Sequence, residues 1–450
     1  MFGSGREGVL NENVAWSAER EVLKETLPPL TPHEALVEAT RCLMCFDAPC
    51  THACPTHIDI PKFIKKIYTG NLKGSARTIL ESNLLGATCA RVCPVQELCE
   101  GACVLGSEHK PIAIGRLQRH AMDYVYGKGV DVFLKSKPTG KKVAVVGGGP
   151  AGLSCAGELA RCGHEVTLFE RRNYAGGLST FGIIGLREPV VIALAEVQMI
   201  ERLGVRVETQ REIGKDLPLG DLQRNFNAIF LGLGLGATPN LGIYGEEHIL
   251  DGLEYIERSK MAGPEMKVGK NVVVIGAGNT AIDCATIAKR LGEEHVTMIY
   301  RRTASEMTAY PHEYDFIKKE GVRFEFLAQP IRVLAKDGHV EGVECVRMSL
   351  GQKDASGRPA PLPVQDSHFV IPADQVVKAI GQEKPSLAAR LNLKTMRGYI
   401  AVNEKLETSI AGVYAGGDCI RAVGAASTVM AVQDGKLAAR AIHERLVGRG

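Results

Sequence analysis

No stretch of this 450-residue sequence stays apolar over the roughly 20 residues that a membrane-spanning helix needs. A membrane partner of that kind is therefore not expected. Charge of one sign is missing too: Lys and Arg total 54, Asp and Glu total 51, and the net charge is +3. So small an imbalance gives no field to hold nucleic acid or an acidic membrane surface. The first residues, MFGSGREGVLNENVAW, lack the apolar core of a secretory leader, so a cytoplasmic setting is expected. No low-complexity segment stands out. Hydrophobic residues at 45% and charged residues at 23% fit a globular chain of two or three domains.

What is abundant is glycine, with 50 residues, and cysteine, with 13. Glycine in such number implies tight turns and close backbone approaches, as nucleotide-binding folds need. Eight cysteines fall between Cys42 and Cys103, and Cys155, Cys162, Cys284, Cys345 and Cys419 are scattered singly. The single ones read as small buried hydrophobes. In a reducing compartment the dense block binds metal more readily than it forms disulfides. The first third also reads as helical. PKFIKKIYTGNLKGSARTILESN has near-helical apolar spacing interrupted at Gly70 and Gly74, and a further helix runs from Gly115 to Tyr126. GKGVDVFLKSKPTGKK has the composition of a linker.

Two strand–glycine turn–helix–strand units follow. In the first, Gly147, Gly149 and Gly152 form G-x-G-x-x-G, with Pro150 and Ala151 between the last two glycines. The first glycine permits the turn, the second lets backbone approach a pyrophosphate, and the third lets helix pack on strand. The pyrophosphate would sit at the helix N-terminus, where free N–H groups and the dipole favour an anion. Glu170 ends the next strand, where a carboxylate accepts hydrogen bonds from ribose hydroxyls. Arg171 and Arg172 after it read as solvated charge.

In the second unit Gly276, Gly278 and Ala281 give G-x-G-x-x-A, with Asn279 and Thr280 opening the helix and Asp283 one residue past its first turn. The next strand ends in Tyr300-Arg301-Arg302 instead of an acid. Arg301 and Arg302 there suit a ribose 2′-phosphate, which favours NADPH and leaves NADH possible. Asn279 and Asp283 are candidates for the nucleotide site or for helix capping.

No cysteine pair follows the first glycine turn or lies in the second unit, so the thiol chemistry of dithiol reductases is not expected. The block Cys42-x2-Cys45-x4-Cys50-x3-Cys54-Pro55 and Cys89-x3-Cys93-Pro94-x5-Cys99-x3-Cys103 offers another outlet for electrons. Thiolates suit iron–sulfur clusters or zinc. Runs ending in Cys-Pro are the ferredoxin style, and they favour two [4Fe–4S] clusters over a zinc staple. Spacing alone would make Cys89 a ligand.

RCLMCFDAPCTHACPTHIDIPKFI, LGATCARVCPVQELCEGACVL and IAIGRLQRHAMD resemble the N-terminal part of dihydropyrimidine dehydrogenases, in particular the separate electron-input subunit of the bacterial two-component enzyme. The likeness continues through VVGGGPAGL, VIGAGNTAIDCA, YRRTASEM, AGGD and ASTVMAVQDGK, nearly the whole chain. The small subunit of glutamate synthase shares this architecture.

The resemblance implies an α/β fold class: an all-helical two-[4Fe–4S] region over 1–135, then two Rossmann-like βαβ domains. FAD would occupy 136–265 and 370–450, with an NAD(P)H domain over 266–369 inserted in it. It implies Cys42, Cys45, Cys50 and Cys103 for one cluster, and Cys54, Cys93, Cys99 and Gln118 for the other, with Cys89 a non-ligand. It also implies flavin contacts at Gly177, Leu178, Arg187, Gly417, Asp418, Ser427, Thr428 and Val429. Thr428 and Val429 would open a helix whose N-terminus favours negative charge on the flavin. Here IIGLREP replaces the more usual IPQFRLP around Arg187, and Thr308 stands where a third cation is expected in NADPH-specific relatives.

The implied activity is transfer of electrons from NAD(P)H through FAD and two clusters to an FMN-containing partner that reduces uracil or thymine, in a heterotetramer. No general acid is assigned, because hydride passes between cofactors and the work is orientation. His52, His57, His109, His120 and His312 are read as surface or structural. An FMN barrel of about 250 residues has no room beside these regions. A glutamate synthase partner is the alternative, and a zinc-stapled, non-redox nucleotide-binding scaffold is a second.

Overall fold

The structure, a computed structural model, describes residues 25–134, 136–262, 266–292, 295–354, 357–421 and 427–448. The opening stretch read for a leader lies outside them. The chain divides into two compact units, one holding 26–180, 190–236 and 384–450, the other 181–189 and 237–383.

In the first unit the cysteine-rich region is helical. Pro32–Thr40 is closed by a capping box between Thr31 and Glu34. The long pattern after Pro61 breaks in two, into Ile60–Tyr68 and Leu72–Leu80. Gly70, at φ +74°, makes the break. Gly74 does not interrupt anything: its N–H is capped by Asn71 Oδ1 at 2.8 Å inside the second helix. Gly86–Val92 and Ile114–Lys128 complete the layer. The helix Ile114–Lys128 takes the first two residues of the linker stretch, and no regular element covers the rest of it before Lys142 among the described residues.

A parallel sheet follows in the order Val413–Ala415, Ala228–Leu231, Lys142–Val146, Glu165–Glu170, Arg206–Thr209. Its edge strand comes from near the end of the chain and pairs Val413 with Ile229. The sheet and the cysteine-bearing helices share one core. Phe63, Ile79, Leu84 and Met122 pack in the same cluster as Val143, Leu159, Ile200 and Val432. The expected boundary at 135/136 therefore does not separate two independently packed bodies.

The second unit repeats the pattern, with the order Leu250–Asp251, Gln375–Lys378, Asn271–Ile275, His295–Tyr300, Arg323–Phe326. An antiparallel sheet of Ala328–Lys336, His339–Lys353 and Pro359–Pro372 lies in the crossover. This unit is wider than the expected 266–369. Val377 pairs with Leu250, and Lys378 with Asp251. That pairing draws the strand at 250 and the following helix, Gly252–Ala262, into the second sheet. The short segment 181–189 joins the unit as well, with Ile184 and Leu186 in its core.

Candidate functional site

The first glycine turn is built as a nucleotide cradle. Gly147 takes φ +99°, and a Cβ on it would stand 2.3 Å from the Gly232 carbonyl oxygen. Gly149 caps Pro150–Arg161 with no side chain of its own, and Pro150 takes the first helical position. The helix therefore begins with open N–H groups. A Cβ on Gly152 would fall 1.9 Å from the Gly147 carbonyl oxygen, so the third glycine serves close packing. A Cβ on Gly149 would meet nothing closer than the Gly177 Cα at 3.8 Å. Ala151 is buried against Gly417.

Glu170 is buried and accepts the Gly148 N–H at 2.7 Å and the Arg172 N–H at 2.9 Å. Two backbone donors hold the carboxylate in place and leave it lone pairs to spare. Leu178 opens the short helix Leu178–Phe181 and is half-exposed. Across the cradle Gly417 takes φ +79° and starts the 3-10 turn Asp418–Ile420. Burial raises the carboxyl of Asp418, with Arg421 pulling it back. Ser427 caps Thr428–Val447 by accepting the Met430 N–H at 3.4 Å, and Thr428 and Val429 form its first turn.

Two cavities lie in the helical layer. The first is lined by Cys42, Cys45, Cys50 and Cys103 with Ile60, Ile64, Ile112 and Ile114. The second is lined by Cys54, Cys89, Cys93, Cys99, Asn83 and Gln118, and by Val429. Neither is lined by a carboxylate or histidine. Among the described residues no three His, Cys, Asp or Glu side chains converge closely enough to hold a single ion. Burial pushes the Cys50 thiol up to about 11, with Cys103 and Cys42 adding to it. Burial likewise raises Cys99, and a hydrogen bond with Cys89 followed by burial raises Cys93. Such thiols ionise when a metal centre supplies positive charge. The donor set, soft sulfur in apolar walls, fits [4Fe–4S] clusters.

Gln118 is buried on Ile114–Lys128 and donates its amide Nε2 to the Gly86 carbonyl at 2.7 Å. That bond leaves the amide oxygen as its other functional atom. Cys89 is 2% exposed and sits on Gly86–Val92 beside Cys93.

In the second nucleotide fold Gly276 takes φ +137°, and a Cβ there would stand 2.2 Å from the Ala379 carbonyl oxygen. Gly278 caps Asn279–Arg290. Asn279 Oδ1 accepts the Tyr310 N–H at 3.2 Å and so pins the neighbouring loop. Thr280 is half-buried at the helix start and Ala281 is fully buried.

Three expected contacts are committed elsewhere. Arg302 is 2% exposed, bonds Asp354 at 2.7 Å and donates to the Pro359 carbonyl at 2.8 Å. Only Arg301 of the two is exposed. Asp283 is buried and bonded to Arg187 at 2.9 Å, and burial pushes its carboxyl up to about 6. Arg187, expected at the flavin, also pairs with Glu313 at 2.7 Å within the second unit.

Sequence reasoning passed over two acids. Glu196 accepts Ala87 N–H at 2.7 Å, Thr88 N–H at 3.1 Å and Thr88 Oγ1–H at 2.5 Å, capping the helix that carries Cys89. Asp434 accepts the Gly417 N–H at 3.0 Å and pairs with Arg421. The signal for Glu196 was a lone acid inside the apolar run VVIALAEVQMI.

A family profile described as dihydropyrimidine dehydrogenase domain II, 4Fe–4S cluster, matches residues 19–130, and a pyridine nucleotide-disulphide oxidoreductase profile matches 141–435. The NADP(+)-dependent formate dehydrogenase subunit beta of Moorella thermoacetica is 37% identical over 89% of this chain, which spans 60% of that protein. The NAD-dependent dihydropyrimidine dehydrogenase subunit PreT of Escherichia coli O157:H7 is 34% identical over 96% of this chain and 98% of its own length. The glutamate synthase [NADPH] small chain of Escherichia coli K12 is 33% identical over 93% of each. Among solved structures, Lactococcus lactis thioredoxin reductase shares the fold at TM-score 0.54, covering 69% of this chain and all of that one at 20% identity. The two nucleotide folds and the cysteine-rich helical layer thus belong together in one lineage: this chain is an oxidoreductase of the pyridine-nucleotide family that carries a dihydropyrimidine-dehydrogenase-type 4Fe–4S region.

Proposed function

We propose that this chain is the electron-input subunit of a dihydropyrimidine dehydrogenase, working in the cytoplasm. It would draw reducing equivalents from NAD(P)H and deliver them to an FMN-containing partner, in a heterotetramer, that reduces uracil or thymine to the 5,6-dihydropyrimidine. The observation that carries this reading is the pair of cysteine-ringed cavities in the same compact unit as the first glycine cradle. A relative described as a dihydropyrimidine dehydrogenase subunit matches almost end to end.

Bound FAD and two [4Fe–4S] clusters would supply the conversion of a hydride into single electrons. The chain's own residues do the positioning. Gly147, Gly149 and the open start of Pro150–Arg161 receive the pyrophosphate, and Glu170 the ribose. Cys42, Cys45, Cys50 and Cys103 hold one cluster, and Cys54, Cys93, Cys99 and Gln118 the other. Val429, in the first turn of the flavin-side helix, also walls the second cavity, so that cavity is the first station for electrons leaving the flavin. Soft sulfur donors in apolar walls, in runs that end in the two Cys-Pro steps, support clusters over a zinc staple.

On the nicotinamide side Gly276 and Gly278 form the turn. Exposed Arg301 supports a 2′-phosphate, whereas the commitment of Arg302 to Asp354 weakens that support, and NADH remains a substrate of the same turn.

The reading is tested on anaerobically purified protein by visible spectroscopy before and after NADPH or NADH, with iron, sulfide and zinc assayed together. About eight irons, four for each cluster, and bleaching of flavin and iron–sulfur bands are expected. Zinc without labile sulfide overturns it. Co-purification with an FMN protein of pyrimidine type is expected, and a large amidotransferase subunit in its place would establish the glutamate synthase alternative.

A further inference from the structure

The helix Thr428–Val447 meets three parts of its own unit. A Cβ on Gly435 would lie 2.2 Å from the Ala151 carbonyl oxygen, so the helix crosses Pro150–Arg161 almost backbone to backbone. Asp434 holds the Gly417 N–H. Lys436 turns the other way. Its Nζ donates to the carbonyl oxygens of Thr56 at 2.7 Å and Ser82 at 2.9 Å, and the residue is 4% exposed. Lys436 follows Val429, a wall of the second cavity, by two helical turns on the same face. Thr56 lies just past Cys54, another wall, whose Sγ is 3.4 Å from Thr56 Oγ1.

The charge around Lys436 is unbalanced. Both hydrogen-bond acceptors are neutral carbonyls, and among the described residues no carboxylate forms an ion pair with it. Glu158, the acid that acts on it most strongly, is bonded through both oxygens to Arg161, while Arg440 and Arg161 add positive charge. Burial of an ammonium without an opposite charge beside it is unfavourable, and simple docking of a helix needs no charge at this position. A negative centre in the adjacent cavity would offset that cost. A thiolate-ligated cluster is such a centre, and it gains one more negative charge when reduced.

The geometry points to Lys436 as the buried counter-charge of the second cluster, a positioning residue that raises that cluster's reduction potential without touching it. Net charge and surrounding hydrogen bonds set such potentials. No bond forms or breaks at Lys436: one electron, originating from the reduced nicotinamide, enters the cluster, and the proton stays on Nζ. The inference rests on the assignment of Cys54, Cys93, Cys99 and Gln118 to a cluster.

The test is a potentiometric titration of the anaerobic holoprotein followed by electron paramagnetic resonance, with wild type, K436M and K436R compared. The signal of the second cavity is identified by its change in Q118A. K436M is expected to lower the potential of that signal by about 59 mV or more, a tenfold change in the oxidised-to-reduced ratio for one electron. The other cluster should stay in place and serve as the internal reference, and K436R should keep the wild-type value. If K436M takes up less iron, K436Q, which retains a donor for the two carbonyls, carries the same comparison. Unmoved potentials, or an equal shift of both clusters, with full iron and sulfide content overturn the role of Lys436. Wild-type protein without iron and sulfide overturns the cluster assignment itself.

Discussion

Glu170 and Gly148 are joined by a 2.7 Å hydrogen bond from backbone N–H to carboxylate, and the other carboxylate oxygen takes the Arg172 N–H. The acid is thus fixed by the backbone alone. Replacing it by alanine removes a charged acceptor, worth about 1.5–3 kcal/mol, and frees the turn. E170A is expected to bind FAD on the order of 10–100-fold more weakly, read as the flavin-to-iron ratio after gel filtration. Retention of FAD at the wild-type ratio would remove Glu170 from the site.

Two glycines in one turn separate folding from binding. A Cβ on Gly152 collides with the Gly147 carbonyl at 1.9 Å, whereas on Gly149 it meets nothing closer than 3.8 Å. G152A is expected to accumulate as aggregated or unfolded chain. G149A should fold, as judged by circular dichroism, and yet lose FAD, because its methyl occupies the space that the pyrophosphate needs. Equal behaviour of the two variants would contradict this division.

The two arginines after His295–Tyr300 divide in the same way. R301A is expected to reduce the preference for NADPH over NADH about tenfold or more, measured as the ratio of kcat/KM values with ferricyanide as acceptor. R302A removes a buried guanidinium from half-exposed Asp354 and from the Pro359 carbonyl and should cost about 1–3 kcal/mol of stability, with the nucleotide ratio unchanged. An unchanged ratio in R301A would mean that nothing at this strand end reads the 2′-phosphate.

Cys89 and Gln118 both wall the second cavity, and substitution decides between them. C89S is expected to keep full iron content. Q118A should perturb or lose one cluster only, bringing iron from about eight towards four per chain. The reverse pattern would make Cys89 the ligand.

The glycine turns were legible in the sequence because each marks a backbone requirement that no other residue meets. The cysteine block was legible because soft ligands at short spacing have few other uses. The wider second unit was not, because Leu250–Asp251 finds its place only by pairing with Val377 and Lys378, a partner far along the chain. The loss of Arg302 to Asp354 was hidden for the same reason. Its sequence position fitted a phosphate, and the acid that claims it lies beyond two intervening strands of the antiparallel sheet. Arg187 matched a flavin motif, but Asp283 and Glu313, remote in sequence, take its guanidinium. Local pattern reports what a backbone must do, whereas the partner of a charged side chain is settled by tertiary packing.

The edge strand Val413–Ala415 is the last strand of a sheet that begins at Lys142, and the helix Thr428–Val447 follows it. The cradle that opens at Gly147 therefore stays half-built while the whole inserted unit is being synthesised. A ribosome must pass residue 434 before Asp434 can hold Gly417, and two residues more before Lys436 can reach Thr56 and Ser82. Completion of the cradle thus becomes a late event in the life of the polypeptide, whereas every residue lining the first cysteine cavity has been made by residue 114.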